Sequence, residues 1–209
     1  MVVIAIVAVL MTVAFVVGIK QADKGKQVQA LGQFHELAAG MEAFIQDNQK
    51  PPVMSKNWST GMDTVYGEAG GENPNSFIIA ALKGDMSFYR NYKDESGDAK
   101  TVNPNSQQYS DFTYSAEKKK GVGDDGCLYD PWGKQIMIAV NTPPYIEDSA
   151  GGVKDKLLYT EGEAEYTDTK PTEQTYVFWS FGKDGKKGKN GANITAKVPY
   201  AGSDDVISW

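Results

Sequence analysis

A single cysteine, Cys127, and a single histidine, His35, stand in 209 residues. One cysteine excludes an internal disulfide and a cysteine metal cluster, and it leaves the compartment open, because exported proteins need not contain disulfides. One histidine means that any Cys-His or Ser-His mechanism rests on His35, which falls within a long helical pattern and far from Cys127 in sequence. The chain also lacks a glycine-rich loop followed by Lys-Ser or Lys-Thr, and it has no G-x-G-x-x-G between a strand and a helix. The adjacent pairs Asp124-Asp125 and Asp204-Asp205 are not the separated acid and base that glycoside hydrolysis requires. Catalysis is therefore not expected, and His35 reads as a packing or surface residue. Nucleic acid is not an expected partner either: the net charge is -6, and phosphate binding needs clustered Lys and Arg.

What the sequence does hold is a long apolar opening. Met1 to Ile19 contains no charge, with Thr12 and Gly18 as its only non-apolar members. As a helix it would reach about 28 Å, close to a hydrocarbon core of about 30 Å. A cleaved signal peptide would begin with a basic region and carry a shorter apolar core, and this run does neither. A wholly buried helix is the other way to be apolar all round, but a Val- and Ile-rich one at a chain end is unusual. The expectation is a membrane-inserted helix. Lys20, Lys24 and Lys26 follow it, and basic residues tend to remain on the cytoplasmic side. A basic leader upstream would reverse that balance, so orientation stays open.

The helical rhythm continues past the charges. Val28, Leu31, Phe34, Leu37, Ala38, Met41, Phe44 and Ile45 recur at steps of three and four, with Gln27, Gln29, Gln33, Glu36, Glu42 and Gln46 on the other side. Pro51-Pro52 ends the pattern, since neither ring can donate the next helical hydrogen bond. Residues 1–50 thus form a transmembrane and assembly helix, and residues 51–209 a globular head. The 41% hydrophobic and 23% charged content supports a folded chain. The acidic excess lies in the head, because residues 1–50 carry four lysines against four acids.

Within the head, residues 51–71 are rich in Pro and Gly and read as loop. Asn75 and Gly84 bracket the apolar run Ser76 to Leu82, which predicts a helix of two to three turns. Residues 90–110 read as an exposed loop, Phe112 to Tyr114 as a short strand or edge piece, and Lys118-Lys119-Lys120 as a solvated turn. Gln135 to Val140 and Thr175 to Phe181 combine β-branched and aromatic residues between turn formers and predict strands, with a weaker one at Leu157 to Tyr159. Tyr145 to Lys156 and Gly162 to Gln174 read as polar connections. The expected class is α+β: a long N-terminal helix packed on a small antiparallel sheet.

The tail carries hard oxygen donors. Asp184, Asp204 and Asp205 flank a glycine-rich segment, and calcium takes six to eight such oxygens. The spacing is not that of an EF-hand, and Lys183, Lys186, Lys187 and Lys189 oppose a cation there. An Asp-Gly turn with an acidic tail accounts for the same residues.

Taken together, four segments resemble the type IV pilin superfamily, and most of all the major pseudopilins of type II secretion. Met1 to Leu10 is similar to the membrane half of the shared pilin helix. Asp130-Pro131-Trp132-Gly133-Lys134 resembles the Asp-Pro-Trp-Gly-Asn turn, with Lys in the last place. Phe178 to Gly185 is similar to the strand and Gly-x-Asp-Gly loop, and Gly202 to Trp209 to the closing Asp-Asp-Ile-x-Ser-Trp. Their order matches, while residues 51–125 match only loosely. The resemblance implies a calcium site formed by the Phe181 carbonyl and the carboxylates of Asp184, Asp204 and Asp205. Gly185 to Gly202 is longer and richer in lysine than the family pattern. The resemblance further implies a leader, a cleavage site after Gly and a glutamate near the mature start, all upstream of Met1.

The implied function is a structural subunit of a pseudopilus or pilus-like filament serving protein secretion. It implies a helical homo-oligomer, contacts with other pseudopilins and inner-membrane assembly proteins, and a periplasmic head on a single inner-membrane helix. Small residues Ala5, Ala8, Ala14 and Gly18 would permit close helix packing. The alternatives are a minor pilin or adhesive tip subunit, binding a partner or glycan through Trp58, Tyr89 and Tyr92, and a membrane-anchored envelope enzyme.

Overall fold

Forty-seven residues, Val2–Asn48, form one unbroken helix, α1. The computed structural model describes residues 2–53, 64–67, 74–85, 102–141, 174–186 and 203–208, with α1 side chains described at Met11, Gly18 and from Gln21 onward. No helix among the described residues is long and apolar enough to cross a membrane. The run Met1 to Ile19, on which that expectation rests, lies almost wholly outside the described side chains. α1 stops where the two prolines begin. Gln49 turns left-handed at φ 56°, its N–H bonds the Ile45 carbonyl at 2.8 Å, and Asn48 donates to the Phe44 carbonyl and the Tyr109 hydroxyl, each at 3.0 Å.

The remaining elements are β1 (Thr64–Tyr66), α2 (Ser76–Lys83), β2 (Gly121–Val122), β3 (Leu128–Tyr129), β4 (Met137–Val140), β5 (Tyr176–Ser180) and β6 (Val206–Ile207). A four-stranded antiparallel sheet runs in the order β1-β4-β5-β6, and β2 and β3 form a separate antiparallel pair. Among the described residues the class is α+β, with a small antiparallel sheet and two helices. Strand alternation divides the sheet's side chains. Tyr66, Ile138, Val140, Phe178 and Val206 join the core with α1 and α2, while Met137, Ala139, Val177 and Trp179 cluster on the opposite face with Val65, Phe181 and Ile207.

The stripe on α1 is shifted from its expected place. Ala30, Phe34, Leu37, Met41 and Phe44 are buried, but Val28 is 68% and Leu31 39% exposed. Gln33, assigned to the polar side, is buried because its amide donates to the Tyr129 carbonyl at 2.9 Å. His35 is exposed, as a surface histidine. β5 runs antiparallel to α1: the Tyr176 hydroxyl meets Ala38 and Glu42, the Phe178 ring lies 6.1 Å from Phe34, and Lys183 pairs with Asp23. The end of β5 therefore faces the apolar start of α1.

Other expectations are corrected. Thr64–Tyr66, within the expected loop of 51–71, is a strand that pairs with β4; three residues are too few to show a period. Val102, Asn103 and Ser110 are buried, although 90–110 was expected to be exposed: the Leu82 carbonyl accepts from Tyr109 N at 2.7 Å and Ser110 N at 3.1 Å, drawing the segment onto the end of α2. Asn75 occupies the N-cap position of α2, but its side chain does not cap the helix. It is wholly buried, donating to the Leu128 and Ile136 carbonyls at 2.8 Å each and accepting from Leu128 N at 2.9 Å. Gly84 does close α2 in the left-handed region, at φ 70°. Tyr114 contributes only an isolated bridge to Val122. The strand expected at Leu157 to Tyr159, the connections 145–156 and 162–173, and Trp58, Tyr89, Tyr92, Gly202 and Trp209 lie outside the described residues.

Candidate functional site

The Asp130-Pro131-Trp132-Gly133-Lys134 segment folds into a turn around its own first side chain. Asp130 is fully buried, and its Oδ1 accepts from Trp132 N at 2.8 Å and Lys134 N at 2.9 Å. The main chain closes the same turn, Asp130 N donating to the Lys134 carbonyl at 2.8 Å. Asp130 Oδ2 accepts from the Ser180 hydroxyl, which itself accepts from Gly182 N at 3.1 Å. Burial pushes the Asp130 carboxyl above the usual carboxylate range, against the opposing pull of Ser180 and the backbone amides. One side chain thus ties the turn to the end of β5 and to the loop after it.

That loop holds the residues singled out for calcium. Gly182 and Gly185 take left-handed φ values of 60° and 65°. They fold Phe181 to Lys186 back so that Gly185 N donates to the Phe181 carbonyl at 3.2 Å. Asp204 Oδ2 accepts from Lys183 N at 2.5 Å and Asp184 N at 3.0 Å, so the tail is clasped against the loop. Asp184 Oδ1 accepts from Lys186 N at 2.7 Å, and Asp205 N donates to the Ser203 hydroxyl at 3.2 Å. Asp184 and Asp204 therefore come together through the loop backbone, and Asp205 follows in the adjoining turn. All four proposed donors are hard oxygens on two joined segments, the chemistry calcium takes. Among the described residues, however, no three His, Cys, Asp or Glu side chains gather as a ready metal cluster.

Two neighbouring features were not legible in sequence. Lys183 Nζ reaches Asp23 Oδ2 on α1 at 3.0 Å, an exposed pair worth little energy but informative about placement. The Lys134 side chain lies across Gly185, where an added methyl would sit 2.9 Å from its Cε.

Elsewhere, the Lys118 to Lys120 turn is exposed, as expected, but anchored. Lys118 Nζ meets Asp125 at 2.5 Å and lies 5.5 Å from the centre of the Tyr129 ring, and the Tyr129 hydroxyl donates to Asp125 at 2.6 Å. Burial and the Asp125 carboxylate push that hydroxyl up to about 12. Burial raises the Asp125 carboxyl, but the bonds from Lys118 and Tyr129 outweigh it and hold the group below its ordinary value. The Cys127 thiol is buried and pushed up by that burial, which disfavours the thiolate. An open groove of about 740 Å³ lies between α1 and the start of β5, lined by Ala38, Glu42, Ile45, Gln46, Gln174, Thr175 and Tyr176.

No family model, no curated protein and no solved structure matches the chain.

Proposed function

We propose that this chain is a pilin-like structural subunit of a pseudopilus or type IV pilus-like filament serving protein secretion. The observation that carries the reading is the division of labour along α1. One face, from Ala30 to Phe44, enters the head's core, while Met11 is 69% exposed and Val28 68% exposed on the same unbroken helix. A head on one side and exposed apolar side chains on the other suit a helix that packs on neighbouring copies. Such a contact joins two different surfaces and propagates as an open helical assembly. Before assembly the apolar run holds the subunit in the inner membrane, with the head in the periplasm. The partners are further copies, other pseudopilins and inner-membrane assembly proteins.

The test targets that exposed face. Val28→Asp combined with Leu31→Asp should reduce sedimentable fibres by at least about tenfold, since a buried unpaired charge weakens an interface strongly. The head's melting temperature should hold, because both side chains lie outside its core. Fibres at the unmodified level would reject the reading.

Calcium belongs to the same proposal. The Phe181 carbonyl and the carboxylates of Asp184, Asp204 and Asp205 would hold it, supported by their chemistry and by the tail's approach to the loop. An ion there would offset the acids that the loop brings together. Chelation should then lower the melting temperature by roughly 5 °C, as expected when a ligand bound only to the folded state is withdrawn. Calorimetry with and without chelator decides it, and Asp204→Ala should abolish the difference. Equal melting under both conditions removes the ion from the proposal.

A further inference from the structure

The side of α1 that faces away from the core carries opposite charges some way apart. From Lys24, steps of three and four residues pass Val28, Leu31, His35 and Ala38 to reach Glu42, the spacing of a seam between two helices. Ala38 is half-buried and the other five are exposed. The positions three and four residues from Lys24 hold Lys20, Gln21, Gln27 and Val28, and those around Glu42 hold Ala38, Ala39, Ile45 and Gln46. Neither charge therefore finds an opposite one along its own helix.

Across the fold the result is the same. Among the described residues the ion pairs are Lys118–Asp125 and Lys183–Asp23, and neither uses Lys24 or Glu42. The Tyr176 hydroxyl donates to Glu42 at 3.1 Å, which leaves the carboxylate's charge in place. Glu42 lines the open groove beside β5, where it is the only charged member and Ala38 and Ile45 are aliphatic ones. Lys24 and Glu42 stand about 27 Å apart on one rigid helix. They cannot meet within a subunit, but two copies can bring them together.

We propose that the groove between α1 and β5 receives the Lys24 to Val28 stretch of a second copy's α1. The second copy's Lys24 meets Glu42, and its Val28 lies against Ile45. The proposal rests on the filament reading and gives it a register: neighbouring helices run parallel, displaced by about 27 Å. Each copy offers both halves of the contact, so the joint repeats from subunit to subunit. The same displacement would take one apolar run almost wholly out of a hydrocarbon core of about 30 Å. Copies seated side by side in a bilayer therefore cannot make the contact, and it forms only as one of them is drawn out.

The experiment exchanges the two charges in the full chain and measures sedimentable fibres. Lys24→Glu and Glu42→Lys should each lower them at least about fivefold, since like charges then face each other. The double exchange should restore them to within about twofold, as coupled positions do. Lys24→Cys with Glu42→Cys, joined by a bismaleimide, should give a ladder of multimers in fibres. Either cysteine alone should give none, because Cys127 is buried. An unaltered chain that makes no fibres overturns the filament reading and this contact with it. Fibres that survive Glu42→Lys but are lost with Val28→Asp and Leu31→Asp overturn the groove contact alone. Crosslinked dimers without a ladder overturn it too, and assign the stripe to a closed antiparallel pair. A ladder from copies still held in vesicles overturns the displacement.

Discussion

Asn75→Ala should unfold the head at markedly lower denaturant, with a loss of about 3 to 5 kcal/mol. The side chain is wholly buried and satisfies three backbone groups on a segment more than fifty residues away. The Leu128 carbonyl has a second donor, Ile136 N at 3.0 Å, so the alanine variant mainly orphans Leu128 N and the Ile136 carbonyl. An unpaired buried backbone group costs about 1 to 3 kcal/mol, and the vacated volume adds to it. Asn75→Asp should do no better, since it keeps the acceptor but turns a carboxylate toward two carbonyls. Urea unfolding of both variants checks the result. A loss below about 1 kcal/mol for either would mean that the segments reorganise around the gap.

Gly182→Ala should release the tail. Residue 182 sits at φ 60°, and a methyl there would overlap the Asp204 carbonyl oxygen and lie 2.7 Å from its carbon. The left-handed region alone costs a non-glycine residue roughly 1 to 2 kcal/mol. Backbone cannot step aside as a flexible side chain would, so the clasp opens and β6 loses its register on β5. Exchange at Val206, which pairs with Ser180, and at Ser208, whose N–H bonds the Phe178 carbonyl at 3.0 Å, should rise well ahead of exchange in β4. Global stability should fall by about 3 kcal/mol, as tail contacts are lost with the strained turn. Uniform exchange across β4, β5 and β6 would show that the tail is not an independent closure.

Long elements were legible before any coordinates, and short ones were not. α1, α2, β4 and β5 follow from periodicity, glycine and proline punctuation and β-branched content, because each spans enough residues to express a pattern. β2, β3 and β6 have two residues each and β1 has three, so no alternation was available to read. Val28 and Leu31 fit the helical period, but only the head's outline decides that its core begins at Ala30. Gln33, Asn75 and Asp130 were missed as structural centres for a related reason. A polar residue becomes interior when its partners arrive from elsewhere in the chain, and sequence spacing carries no record of that arrival. At the candidate site the residues themselves were visible. Their arrangement as an amide-clasped tail was not.

The antiparallel course of β5 along α1 also sets how the molecule bears load. Tyr176 lies beside Glu42, Phe178 beside Phe34 and Lys183 beside Asp23, so the strand follows the helix toward its apolar start. A pull on that start is shared first by the Lys183–Asp23 pair and the Asp204 clasp. It then acts on the aromatic contacts in shear, along the strand and not across it, so the contacts resist together and do not peel one at a time. The weakest link under tension is the same pole that closes the tail, and the fold would yield there before its core.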